Sequence, residues 1–226
     1  MTAPLTGIEA CVFDAYGTLF DFATAAERSP DIPDDHRGAL TALWRDKQLQ
    51  YTWLRTLQGR YTDFWQVTGD ALDYALDSLG IDDRAARDQL MNLYLTLEPF
   101  EDVAAALPAL RKRGLRTAIL SNGSPAMLAP LLSAAGLNDA FEAVLSVDAV
   151  GAFKTDPRTY GLAVERLGLQ PARMVFVSSN AWDAFAASDF GMQAVWCNRY
   201  GQRRERLPGA PAFEITSLAT LPALLA

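Results

Sequence analysis

Short apolar runs recur along this chain, each followed by a polar cluster and then an amphipathic stretch. The first runs from Ile8 to Phe13. Four more follow after a long gap, at Arg116–Leu120, Ala143–Val147, Met174–Val177 and Ala194–Cys197. Each is short and rich in Val, Ile, Leu or Phe, the pattern of a parallel strand buried on both faces. Between them, apolar residues return at helical spacing over Val103–Arg113, Ala126–Ala135, Pro157–Leu167 and Trp182–Phe190. Strand alternating with helix predicts βαβ units, a parallel sheet and right-handed crossovers that place helices on both faces. Gly201 to Pro211 reads as a polar surface loop containing Arg and Pro, before a last short strand and helix.

Residues from about 20 to 98 break that alternation. Leu40–Leu57, Asp63–Leu79 and Arg84–Leu97 each carry an amphipathic helical pattern, and Gly80-Ile81-Asp82-Asp83 punctuates the last two. Their apolar faces must bury against something, and the carboxyl edge of the sheet is the obvious partner. The predicted fold class is therefore α/β: a Rossmann-like, doubly wound parallel sheet with an inserted all-helical cap. The core is assigned to residues 1–19 and 99–226 and the cap to residues 20–98.

Composition narrows the function. The chain has 226 residues and a net charge of −7. An acidic chain lacks the basic face of a nucleic-acid binder. No stretch approaches the roughly 20 apolar residues that span a bilayer. Met1-Thr2-Ala3-Pro4-Leu5 has neither a basic region nor a long apolar segment, so no signal peptide is expected and the expected compartment is the cytoplasm. The two cysteines, Cys11 and Cys197, lie in strand-like runs and read as small buried hydrophobes. The single histidine, His36, reads as a solvated residue near a helix start. With so little histidine, Ser-His and Cys-His nucleophiles and His-rich zinc sites drop out. Acid–base work falls to carboxylates, lysine or tyrosine.

Four polar clusters follow the carboxyl ends of successive strands. They are Asp14 with Thr18; Ser121-Asn122-Gly123-Ser124; Lys154 with Asp156 and Tyr160; and Ser178-Ser179-Asn180-Ala181-Trp182-Asp183. On one edge of a parallel sheet they converge on a crevice. Asp14 stands just before a Gly-Thr turn, as a nucleophile or as a turn cap. The residue two places on is Tyr16, an aromatic rather than a second acid. A lone carboxylate beside an apolar wall suits displacement at carbon better than phosphoryl transfer. Lys154 reads as a partner for a carboxylate or as a surface lysine. Asp183 reads as a group that activates or orients water, or as a helix N-terminal acid. Ser121, Ser178 and Asn180 suit an oxyanion or carboxylate site. Thr18 and Tyr160 would hold Asp14 or Lys154 in position. Each hydroxyl is equally consistent with capping. In the helical insertion, Arg45, Leu49 and Trp53 fall on one helix face, a cation beside apolar residues. Leu49, Trp53 and Phe64 are equally consistent with packing inside the insertion.

These residues resemble the haloacid dehalogenase superfamily, and within it the L-2-haloacid dehalogenase (type II) family. Asp14 to Thr18 matches the superfamily's first motif, Ser121-Asn122 the second, Lys154 the third and Asp183 the fourth. The runs Leu43-Trp44-Arg45-Asp46-Lys47-Gln48-Leu49-Gln50-Tyr51-Thr52-Trp53 and Ser178-Ser179-Asn180-Ala181-Trp182-Asp183 are similar to the dehalogenase form. The resemblance implies that Asp14 attacks C2 of a 2-haloalkanoate, that an enzyme ester forms with inversion, and that water releases a 2-hydroxy acid. It implies a halide cradle of Arg45, Asn122 and Trp182, and a substrate pocket of Tyr16, Leu49 and Phe64. It also implies selection of the S enantiomer and a homodimer. No metal or other cofactor is expected, because Lys154, hydroxyls and amides suffice for a monoanionic carboxylate, whereas a phosphate dianion calls for a divalent ion. A Mg²⁺-dependent phosphatase or phosphonatase is the alternative, and Tyr16 stands against it. A non-catalytic binding protein is the third reading, and the retention of Asp14, Lys154 and Asp183 stands against that.

Overall fold

The computed structural model describes residues 5–22, 32 and 34–226. Met1–Pro4 and, within the segment read as a cap, residues 23–31 and 33 lie outside the described residues. Six strands form one sheet: β1 (Ala10–Phe13), β2 (Arg116–Ser121), β3 (Ala143–Ser146), β4 (Met174–Ser178), β5 (Gln193–Cys197) and β6 (Phe213–Ile215). The order is β3-β2-β1-β4-β5-β6, and every neighbouring pair is parallel. Chain direction across the sheet therefore reverses between β1 and β4, which creates a switch-point crevice at the carboxyl end of β1.

Alternation along the strands divides the core. Cys11, Phe13, Ile119, Val175, Val177 and Val195 face one side. Against that side pack α4 (Val103–Lys112), α5 (Pro125–Ala134) and the terminal α8 (Leu221–Leu224). Ala10, Val12, Ala118, Leu120 and Phe176 face the other, against α6 (Pro157–Leu167) and the end of α7 (Ala181–Asp189). Both cysteines are free and buried, and burial pushes the Cys11 thiol up to about 12.

Between β1 and α4 lie α1 (Asp34–Leu57), α2 (Phe64–Leu79) and α3 (Arg84–Leu93). α1 starts six residues before the expected Leu40, because Asp34–Ala39 carries no apolar periodicity to mark it. His36 sits half-buried in its first turn rather than fully solvated. α2 is capped by Asp63, whose side chain accepts from the Gln66 N–H, and ends at Gly80 with φ 67°. α3 stops at Leu93, short of the expected Leu97. Tyr94, Leu95 and Thr96 bond back three residues, to Met91, Asn92 and Leu93, so the last turn tightens instead of extending the helix. The β3 run also ends early, because Val147 opens a 3₁₀ turn.

Candidate active site

Asp14 follows β1 directly, at the switch point. Gly17 beyond it has φ 81°, a conformation that reverses the chain within the Ala15–Phe20 turn. That turn returns Thr18 beneath Asp14. The two oxygens of Asp14 meet unlike surroundings. Oδ2 accepts hydrogen bonds from Thr18 Oγ1 at 3.0 Å, Ser178 Oγ at 3.3 Å and Asn180 Nδ2 at 2.9 Å. Oδ1 accepts only from Lys154 Nζ, at 3.1 Å, among the described residues.

Lys154 is 1 % exposed, so it is not a surface lysine. Its ammonium also reaches Asp183 Oδ2 at 2.8 Å, while Tyr160 donates its hydroxyl to Asp183 Oδ1 at 2.7 Å. Three buried charges therefore sit together with one net negative charge. Burial alone would lower the Lys154 pKa; the charges of Asp14 and Asp183 outweigh it and hold it above the ordinary value. Burial pushes Asp183 up to about 6, with the Asp14 charge adding to the rise and Lys154 opposing it. Burial, and then Asp183, push the Tyr160 phenol well above its usual range.

The polar loops serve both turn and site. Thr18 Oγ1 accepts from the Ser179 N–H, and Ser178 Oγ from the Asn180 N–H. Asn180 opens α7, yet its side chain makes no capping bond and turns to Asp14. Asp183 lies in the first turn of that helix, so the acid also meets the favourable end of the helix dipole. Ser121 is buried at the end of β2, where its Oγ accepts from the Gly123 N–H. It makes no hydrogen bond to Asp14. Asn122 Oδ1 accepts from the Lys154 N–H at 3.0 Å, which ties the second cluster to the third.

The helical insertion reaches the same place. Arg45 Nη2 donates to Asn180 Oδ1 at 2.6 Å. Two turns along α1, Trp53 meets Trp182 edge to face at 5.8 Å. Leu49 lies half-buried between them on that face. Tyr16 packs against Phe64 at 6.1 Å and Tyr94 at 5.2 Å, the apolar wall beside Asp14. A cleft of about 270 Å³ opens beside Arg45 and Asn180, with Gly17, Phe22, Tyr200 and Gln202 on its walls.

A carboxylate with three donors on one oxygen and a single ammonium on the other, together with a second acid, makes a site for covalent hydrolysis. The haloacid dehalogenase-like hydrolase family matches this chain over residues 8–191. This chain belongs to that family. The (S)-2-haloacid dehalogenase of Pseudomonas sp. strain YL is 46 % identical over 212 residues, 93 % of this chain and 91 % of the relative. The (S)-2-haloacid dehalogenase 1 of Pseudomonas sp. strain CBS-3 is 43 % identical over 219 residues, 96 % of each chain. Among solved structures, the L-2-haloacid dehalogenase from Xanthobacter autotrophicus with chloropropionic acid covalently bound superposes with a TM-score of 0.87. It is 40 % identical and covers 96 % of this chain and 98 % of its own.

Other members of this haloacid dehalogenase-like site escaped sequence reasoning. Gln48, Thr68 and Tyr94 are buried polar residues that meet behind Arg45. Arg199 donates to the Thr18 carbonyl at 2.9 Å and pairs with Asp102 at 2.8 Å. A basic residue just past the apolar β5 run is the one local signal that could have pointed to it. Tyr61 hydrogen-bonds Asp148 and stacks on Phe153, next to Lys154.

Proposed function

We propose that this chain is a hydrolytic dehalogenase that converts (S)-2-haloalkanoates to (R)-2-hydroxyalkanoates and halide through an ester on Asp14. The observation that carries this is the asymmetry of Asp14. Oδ1, held only by Lys154, attacks C2 in line as the carbon–halogen bond breaks, and the halogen leaves with the bond's electrons. Inversion follows from in-line displacement. Oδ2 then becomes the ester carbonyl oxygen and sits among three donors, Thr18, Ser178 and Asn180. Water adds to Cγ, and the negative charge that develops on Oδ2 meets donors already in place. Asp183 takes the proton from water, with Lys154 and Tyr160 orienting it. The Cγ–Oδ1 bond then breaks, that proton passes to the departing oxygen, and Asp14, now carrying the oxygen of water, releases the second proton of water to solvent and returns to the carboxylate. Arg45, Asn122 and Trp182 cradle the halide; Tyr16, Leu49 and Phe64 line the pocket; Ser121 offers its hydroxyl to the substrate carboxylate.

The donor set does not fit a divalent ion. The Lys154 ammonium bridges Asp14 Oδ1 and Asp183 Oδ2, so a cation already stands between the two acids, and Tyr16 occupies the position two residues after the nucleophile. The cap is assigned to residues 20–98 and the core to the rest. Exposed Leu54, Leu57 and Tyr74 on the cap helices support a homodimer. No helix among the described residues is long and apolar enough to cross a membrane, and a cytoplasmic location is part of the same proposal.

The test is halide release from each enantiomer of 2-chloropropionate with EDTA present, followed by a single turnover in H₂¹⁸O. Chloride from the S enantiomer alone, with label in Asp14 and not in the product, is expected. Asp14→Asn should lose at least about 10³-fold in turnover while remaining folded. Label appearing directly in the hydroxy acid would rule out the ester.

A further inference from the structure

Gln48 is fully buried in α1, one turn from Arg45. A buried carboxamide is costly unless its donors and acceptor are met. Its Nε2 donates to Thr68 Oγ1 at 2.8 Å and to the Tyr94 hydroxyl at 2.9 Å. The Thr68 hydroxyl hydrogen already goes to the Phe64 carbonyl at 2.6 Å, so toward Gln48 it can only accept. That fixes which way the amide points. Its Oε1 is left facing Arg45, whose Nη1 approaches at 3.4 Å. On the other side Arg45 Nη2 meets Asn180 Oδ1 at 2.6 Å, and Asn180 Nδ2 meets Asp14 at 2.9 Å. The guanidinium is held from both sides. One unbroken chain of hydrogen bonds therefore runs from Thr68, inside the helical insertion, through Gln48, Arg45 and Asn180 to the nucleophile.

We propose that Gln48, oriented by Thr68 and Tyr94, is the positioning residue that aims the Arg45 guanidinium at the departing halide. This rests on the reading of Arg45 given above. Gln48 touches no reacting atom; it acts by restricting where a flexible, five-donor side chain can point. Tyr94 contributes its hydroxyl as the second acceptor for the Gln48 amide, and its buried ring closes the apolar wall behind Tyr16.

The experiment is a double-mutant cycle on single-turnover halide release from (S)-2-chloropropionate, with bromide inhibition as a second readout. Gln48→Met keeps the volume and removes the amide. It should slow halide release by about 10–100-fold, as a misplaced catalytic group does, and weaken bromide inhibition in step. In an Arg45→Ala background the same change should alter the rate less than about twofold, because the group it aims is gone. Equal effects in both backgrounds, or an unchanged rate in a folded Gln48→Met enzyme, would overturn the proposal. Should Gln48→Met fail to fold, Thr68→Val removes the other acceptor of the Gln48 amide and is read in the same cycle. Full halide release by Arg45→Ala alone is a different failure: it removes the reading of Arg45 first, and this proposal with it.

Discussion

At the scale of single residues, Asp183 is the group whose charge state decides the second half of the reaction. Burial and the nearby Asp14 lift its carboxyl from 3.8 to about 6, and Lys154 limits the rise. Only the ionised form can take a proton from water. In the ester Asp14 no longer carries the charge that helps raise Asp183, so ester hydrolysis should slow relative to halide release in acid, below pH 6. A pre-steady-state burst that grows more prominent below pH 6 would show this; a burst independent of pH would refute it. Stability carries the opposite sign. Between about pH 4 and 6 the folded protein holds a proton on Asp183 that the unfolded chain has lost. The contribution of this group to stability is greatest below that window and declines as pH rises through it.

At the scale of elements, the site is made where strands turn into helices, and those junctions leave little room. Gly123 joins β2 to α5. A Cβ there would lie 2.8 Å from Cε2 of Tyr16, 3.3 Å from Ser121 Oγ and 3.4 Å from Leu128. The Tyr16 ring must then move, and with it the wall beside Asp14. Gly123→Ala should cost about 1–3 kcal/mol in stability. It should also change KM more for longer 2-haloalkanoates than for haloacetate. A uniform fall in kcat with unchanged KM would place Tyr16 outside the pocket. α1 matters in the same way: one helix carries Arg45 to Asn180, Trp53 to Trp182 and Thr56 to the Phe153 N–H. Its rigidity sets these contacts together rather than one by one.

At the scale of the whole molecule, Arg199 joins parts far apart in the chain. From the end of β5 it bonds Asp102 at the start of α4 and the carbonyl of Thr18 in the nucleophile turn, and it stacks on Phe100. Asp102 in turn accepts from Ser217 and the Leu218 N–H near the carboxyl terminus. Burial alone would raise the Asp102 carboxyl; Arg199, Ser217 and the Leu218 amide outweigh it and hold it below the ordinary range. Its contribution to stability is present above the ordinary carboxylate pKa and is lost as pH falls through the lowered one. Arg199→Met should therefore cost about 3 kcal/mol at pH 7 and distinctly less at pH 3, as read from urea unfolding. An equal loss at both values would assign the effect to the Thr18 carbonyl bond and packing on Phe100 instead.

What the sequence determined by itself follows from local physics. Four apolar runs, each followed by a polar cluster, are legible because strands inside a parallel sheet are short and rich in Val, Ile, Leu or Phe, and because ligand sites form at their carboxyl ends; β3 departs from that pattern of burial, as an edge strand whose Val144 is exposed. Asp14, Ser121, Lys154 and Ser178 therefore fall on one edge from the strand pattern alone. Tertiary structure decided which buried polar groups meet. Gln48 in α1 has the same side chain as exposed Gln50; helical spacing puts it on the buried face of Leu40 and Trp44, but that it meets Thr68 and Tyr94 there is decided by packing. Arg199 and Asp102 lie 97 residues apart, and only the closing of the sheet brings them together. The asymmetry of Asp14 is of the same kind, since it needs donors from two loops and an ammonium from a third. A carboxylate at the end of a strand is written in the chain, but which of its oxygens gathers three donors and which meets the ammonium alone is settled only by what folds around it.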